Sequence, residues 1–146
     1  MRLSAKGEYA IKAMLDLALH DGGGLQPIQD IAARQGIPQR YLEQVLLQLK
    51  RGGMLASRRG SSGGYRLGMP PDEITVGAVL AAIEGGPDLE RGGRAHGRAA
   101  ERVDDLADLW QEIADALSAV VDRVSFGELR RRVEERRGAA PPMYHI

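Results

Sequence analysis

The sequence predicts a mainly α protein: a winged helix-turn-helix with a small two-stranded wing, followed by a long C-terminal dimerisation helix. Three observations support this. Apolar residues recur at helical spacing in three successive segments before residue 53. The period then changes to two strand-like runs around a Gly/Ser turn. Beyond residue 98, apolar residues repeat in alternating steps of three and four.

Each element has its own local reason. Ser4 suits the N-cap of a first helix reaching about His20, with Ile11, Met14, Leu15 and Ala18 on one face. Asp21-Gly22-Gly23-Gly24 ends it. Pro27 opens a short second helix through Ile28, Ile31 and Ala32, which stops near Gly36. Pro38 suits the first turn of a third helix, whose apolar face is Leu42, Val45, Leu46 and Leu49. Met54–Arg59 and Tyr65–Leu67 read as strands, joined by Gly60-Ser61-Ser62-Gly63-Gly64. Thr75 can cap a fourth helix bearing Val76, Val79, Leu80 and Ile83. Gly85 to Gly97 reads as a Gly/Arg-rich loop. The fifth helix is expected from about Ala99 to Val124, roughly 39 Å at 1.5 Å per residue. Val103, Leu106, Trp110, Ile113, Leu117, Val120 and Val124 form its heptad seam. Such a helix exceeds one face of so small a domain, so the seam is expected to join two copies. Ser125 and Glu128 fit a capping box for a last helix to about Arg137. No internal repeat is apparent. Residues 1–70 form the expected DNA-binding region, 71–137 a helical dimerisation or effector region, and 138–146 a flexible tail.

The chain has 146 residues, enough for one real core. It has no cysteine, which excludes disulfides, thiol catalysis and cysteine-held metal clusters. It has no apolar run long enough for a membrane span, so a cytoplasmic location is expected. Its formal net charge is zero, which taken alone argues against nucleic acid. The distribution says otherwise. Residues 1–70 carry ten Lys and Arg against five Asp and Glu, and residues 71–146 carry the reverse excess, ten against fifteen. One half can therefore face phosphate.

The order helix, turn, helix, hairpin is that of a unit whose third helix enters the DNA major groove. Opposite its apolar face stand Gln39, Arg40, Glu43 and Gln44. Their chemistry suits base edges: Gln pairs with adenine, Arg with guanine, Glu with the cytosine amine. Arg58 and Arg59, beside slim Gly and Ser residues, can enter a minor groove or hold phosphate.

Met1–Ala10, Tyr41-Leu42-Glu43-Gln44, Ser57–Leu67 and Ile74-Thr75-Val76-Gly77 together resemble the Rrf2 family of bacterial winged-helix transcription regulators. The resemblance runs from Met1 to about Arg137. It implies a homodimer joined through the fifth helix, acting on a palindromic operator; the expected function is transcriptional regulation, by repression. It implies that Glu43 and Gln44 read bases, that Arg59 enters the minor groove, and that Ser4, Lys6 and Tyr9 lie near the DNA backbone. Pro38, Gln39, Arg40, Tyr41, Arg58, Gly60, Ser61 and Ser62 complete the expected DNA-binding set. Iron–sulfur members carry three cysteines in the loop after the fourth helix; this chain has none there. The loop's remaining candidate ligands are His96, Asp88 and Glu90, and a lone loop His is more often solvated. A cluster-free member with no cofactor is expected. Cluster-free cysteine regulators of the family work with cysteine synthase, and the tail ending in Tyr144 and Ile146 could dock there through its terminal carboxylate. A small molecule near the fourth and fifth helices and the wing, or no ligand, is the alternative.

An enzyme is not expected. Gly60-Ser61-Ser62-Gly63-Gly64 matches G-x-S-x-G, but that motif needs a helix after the serine, and a strand follows here. The remaining rival is a winged helix that grips an acidic protein and reads no DNA.

Overall fold

The computed structural model describes residues 4–84 and 104–138. Six helices and one hairpin follow in order: α1 Ala5–Leu19, α2 Ile28–Gln35, α3 Gln39–Arg51, β1 Leu55–Arg58, β2 Gly64–Leu67, a 3-10 turn Pro71–Glu73, α4 Val76–Glu84, α5 Ala107–Val121 and α6 Phe126–Gly138. The winged helix-turn-helix and its hairpin form as expected.

Local chemistry explains the ends. The Gly7 N–H donates to Ser4 Oγ at 3.0 Å, capping α1. Gly36 ends α2 in the left-handed region, φ 64°, where glycine is free of Cβ strain. Pro27 and Pro38 are the N-cap residues of α2 and α3, each one position before the first helical residue. β1 and β2 pair antiparallel, Leu55 opposite Leu67 and Arg58 opposite Gly64.

One hydrophobic core among the described residues unites α1 to α4, the wing and the start of α6. Met14 and Leu17 of α1, Ile31 of α2, Leu42, Val45, Leu46 and Leu49 of α3, and Leu55 and Leu67 of the wing are all buried in it. Ile74, Val79, Ile83 and Phe126 join the same cluster, so the core runs across residue 70.

Phe126 arrives there through a reciprocal clasp. The Val76 N–H donates to Val124 O at 2.9 Å, and the Phe126 N–H donates to Ile74 O at 2.9 Å. Thr75 and Ser125 sit opposite one another in this antiparallel bridge. Each also caps the helix that follows it: Ala78 N–H donates to Thr75 Oγ1, and Glu128 N–H to Ser125 Oγ. Two residues further on, each helix has a glycine, and a side chain there would strike a carboxylate from the opposite segment. A Cβ at Gly77 would collide with Asp122 Oδ1, and one at Gly127 with Asp72 Oδ1. Both carboxylates thus lie over the first, electropositive turn of the other segment's helix. The two segments, Asp72-Glu73-Ile74-Thr75-Val76-Gly77 and Asp122-Arg123-Val124-Ser125-Phe126-Gly127, share one pattern 50 residues apart. The chain therefore contains a short internal repeat, visible only once its two copies are seen to pair.

The fifth helix is shorter than its sequence period suggests. Asp104 Oδ1 accepts the Leu106 N–H at 2.9 Å and Asp104 O accepts the Ala107 N–H, so a turn precedes the helix. At the other end Val124 leaves the helix to enter the clasp. α5 is 15 residues, about 22 Å, not 39 Å. Leu106 and Val124 lie outside it, and Val103 lies outside the described residues. The capping box before α6 is half made: Ser125 caps Glu128, but the Glu128 carboxylate pairs with Arg132 at 2.9 Å instead of reaching back.

Phe126→Ala is expected to lower unfolding free energy by about 3–5 kcal/mol, because the ring is fully buried. Urea denaturation followed by circular dichroism measures it.

Candidate nucleic-acid interface

The buried face of α3 sets its rotation. Leu42, Val45, Leu46 and Leu49 have no exposed surface, so the opposite face must point to solvent. That face presents Arg40, Gln44, Leu47 and Arg51 at i, i+4, i+7 and i+11, with Glu43 alongside, and all five are exposed. Arg40, Glu43 and Gln44 have no hydrogen bond or ion pair with another described side chain. Pro38 and Gln39 are exposed at the helix start. Tyr41 is 41% exposed, and its ring meets that of Tyr9 edge to face, with centroids 5.4 Å apart. Tyr9 is half-buried beneath it, which makes Tyr9 a positioning residue for Tyr41. Ser4 is exposed but holds the α1 cap, and Lys6 is half-buried.

The wing brings a second set of side chains. Arg58, Arg59, Gly60, Ser61 and Ser62 are all exposed at its tip. The tip is closed by a Gly63 N–H to Gly60 O bond of 3.0 Å, with Gly60 at φ 115°, a conformation that favours glycine. Ser62 is a turn residue followed by β2, so it stands on no strand-to-helix elbow.

Sequence reasoning missed what seats the wing. Gln26 pairs with Tyr65 as an added antiparallel bridge: each N–H donates to the other's carbonyl at 2.8 Å. The backbones approach so closely that a Cβ on Gly64 would collide with Gln26 O. Behind this bridge lies a polar network built on one buried carboxylate. Asp16 is 1% exposed and takes both Arg34 Nε and Arg34 Nη2, at 2.9 and 2.8 Å. Gln35 Nε2 adds a third bond at 3.1 Å, and Arg34 Nη2 also donates to Gln26 Oε1 at 2.9 Å. The hydrogen bonds to Asp16 raise the Arg34 guanidinium above its already high ordinary pKa, so it stays charged. One bidentate pair therefore ties α1 to α2 and, through Gln26, to the wing. An Asp inside the apolar face of α1 was the available sequence signal; its partner 18 residues away was not.

α5 is the least enclosed of the described α-helices. None of its residues is buried. Trp110, Ile113 and Leu117 are half-covered, whereas Leu106, Leu109 and Val120 are 44–50% exposed. Its charged residues, Asp108, Glu112 and Asp115, are all acidic. His96, Asp88, Glu90, Tyr144 and Ile146 lie outside the described residues.

Residues 3–132 match the sequence profile of the Rrf2 family, described as an iron-dependent transcriptional regulator. The chain belongs to the Rrf2 family. It is 43% identical over 132 residues to the HTH-type transcriptional regulator IscR of Aliivibrio salmonicida, an alignment covering 88% of this chain and 77% of that one. IscR of Serratia proteamaculans is 40% identical, at 88% and 79% coverage. Among solved structures, T. potens IscR superposes with a TM-score of 0.80 at 30% identity, covering 99% of this chain and 97% of the other. CymR, described as the global cysteine regulator of B. subtilis, gives 0.73 at 31% identity, covering 90% and 98%. This Rrf2 chain is thus a helix-turn-helix transcriptional regulator. The iron dependence in the family description does not extend to a cysteine-ligated cluster here: the sequence has no cysteine at all. Among the described residues, no group of three or more His, Asp or Glu stands close enough to hold a metal.

Gly64→Ala is expected to unseat the wing while leaving the helices folded. Hydrogen exchange at the Tyr65 and Gln26 amides should accelerate at least tenfold, with far-ultraviolet ellipticity nearly unchanged.

Proposed function

We propose that this protein represses transcription as a homodimer on a palindromic operator, without a cysteine-ligated cluster. α3 lies in the major groove, with Glu43 and Gln44 reading bases and Arg40 and Gln39 beside them. The wing reaches the adjacent minor groove through Arg59, with Arg58 on phosphate. The observation that supports this most is the outward face of α3, whose polar side chains have no partner among the described residues and lie beside an arginine-tipped hairpin. The cation excess of residues 1–70 favours approach to phosphate, and the acidic remainder disfavours wrapping. Non-specific affinity should then be weak and the correct bases decisive. The protein acts in the cytoplasm, where its operator is.

Selection of bound duplexes from a random pool tests this directly. A palindromic consensus is expected; enrichment of no sequence would end the reading in favour of a protein-binding winged helix. Gln44→Ala should cost about 1–3 kcal/mol on the selected duplex and relax one position of each half-site. Arg58→Ala should weaken all duplexes alike and lower the salt slope by about 1.

Dimerisation is proposed through α5, because an apolar helix with no buried residue requires cover. The seam is Trp110, Ile113 and Leu117, flanked by Leu106, Leu109 and Val120. Ile113→Glu should yield monomers by sedimentation and reduce operator affinity; a full-strength dimer would remove the proposal.

Similarity to CymR supports a regulon in cysteine or sulfur metabolism. Docking of the tail on cysteine synthase rests on the family resemblance alone. Loss of co-purification on deleting residues 144–146 would support it, and unchanged association would end it.

A further inference from the structure

The outward face of α3 contains one residue that base pairing by hydrogen bonds does not use. Leu47 is 45% exposed. It is no stray apolar residue at the edge of the buried stripe. At 100° per residue it stands nearly opposite Leu49 and the centre of that stripe, between Arg40 and Arg51 and one turn beyond Gln44. Every other residue on this face is charged or an amide. An isolated surface leucine needs no explanation, but one at the centre of a groove-facing row does. If α3 enters the major groove, Leu47 leaves water and meets whatever the groove presents. Over a base amine, N7 or carbonyl it would strip water from that polar group and return no hydrogen bond, which is costly. One feature of the major groove is apolar: the C5-methyl group of thymine.

We propose that Leu47 is a specificity-determining residue that selects thymine by contact with its methyl group. Residue 47 lies three positions beyond Gln44, about 4.5 Å along the helix axis. That is roughly one base-pair step, so the thymine should neighbour the pair that Gln44 reads. The inference rests on the proposed placement of α3 in the major groove. It adds a contact made by shape and hydrophobicity, where Glu43 and Gln44 act by hydrogen bonds.

The test uses the full chain and the duplex selected by it. Each thymine of the two half-sites is replaced in turn by deoxyuridine, which removes the methyl and preserves the pairing. Wild-type protein should lose about three- to fivefold in affinity at one symmetric position, the worth of roughly one buried methyl. Leu47→Ala should bind the thymine duplex more weakly and show no further loss on the uracil duplex, with unchanged thermal unfolding because the side chain is exposed. An equal uracil penalty in wild type and Leu47→Ala would overturn the proposal, since another group would then touch the methyl. Wild-type binding that tolerates uracil at every position would also overturn it, placing Leu47 on sugar or on another protein. If selection yields no duplex, the DNA reading itself fails and the proposal falls with it; the first two outcomes leave that reading intact.

Discussion

Two backbone hydrogen bonds, Val76 to Val124 and Phe126 to Ile74, set the geometry on which the rest of the molecule depends. They join the segment after the wing to the segment after α5. Each segment then starts a helix with its own hydroxyl cap, and each lends a carboxylate to the other's first turn. The arrangement is tolerant of neither bulk nor shift, because Gly77 and Gly127 lie directly beneath Asp122 and Asp72. Its consequence is positional. The clasp puts Phe126 into the core shared by α1, α2, α3 and the wing, so the end of α5 is fastened to the same body that orients α3. In a dimer built on α5, the spacing between two recognition helices would be set through this joint.

The nucleic-acid face is held from behind by two kinds of interaction. Four leucine and valine side chains of α3 fix which way Arg40, Glu43, Gln44 and Leu47 point, by excluding water from the opposite side. The wing needs a different device, since a two-stranded hairpin alone is marginal in water. It obtains one from Gln26, whose backbone extends the sheet and whose side chain meets Arg34. Arg34 in turn is held by a buried Asp16 whose carboxylate is well supplied with donors. Arg34 keeps about a third of its side chain in solvent, so the pair is only half-buried and adds little net stability. Its effect is to align α1, α2 and the wing.

The chain combines family membership with the absence of the chemistry that a cysteine-ligated cluster requires. Sequence identity of 40–43% to IscR proteins extends over most of the chain, yet it holds no thiol. The likeness spans the helix-turn-helix and wing that carry the outward side chains, while the chain has no cysteine to ligate a cluster. The charge is divided along the chain. Cations gather on the half that bears α3 and the wing, and acids on the arm that bears α5.

Much of the fold and most of the site were legible in the sequence, because they depend on short-range rules. Helical spacing of apolar residues located α1 to α4; Ser4, Thr75 and Ser125 marked the starts of α1, α4 and α6, and Gly60 to Gly64 marked the hairpin. Exposure of Arg40, Glu43 and Gln44 followed from the same spacing, and that of Arg59 from its place in the hairpin turn. The ends of α5 did not follow. A heptad period persists through residues 103–124, but Asp104 takes the Leu106 amide and Val124 is drawn into the clasp, and neither competitor is a matter of periodicity. The Gln26–Tyr65 bridge, the Asp16–Arg34 pair and the Asp72 and Asp122 contacts likewise join residues far apart in the chain. Local pattern determined which residues form helices, strands and faces, since those are fixed by neighbours within a turn or two. Only the tertiary structure decided where α5 stops, how the wing is seated and how the arm is fastened to the DNA-reading half, because these depend on which distant backbone groups and carboxylates meet.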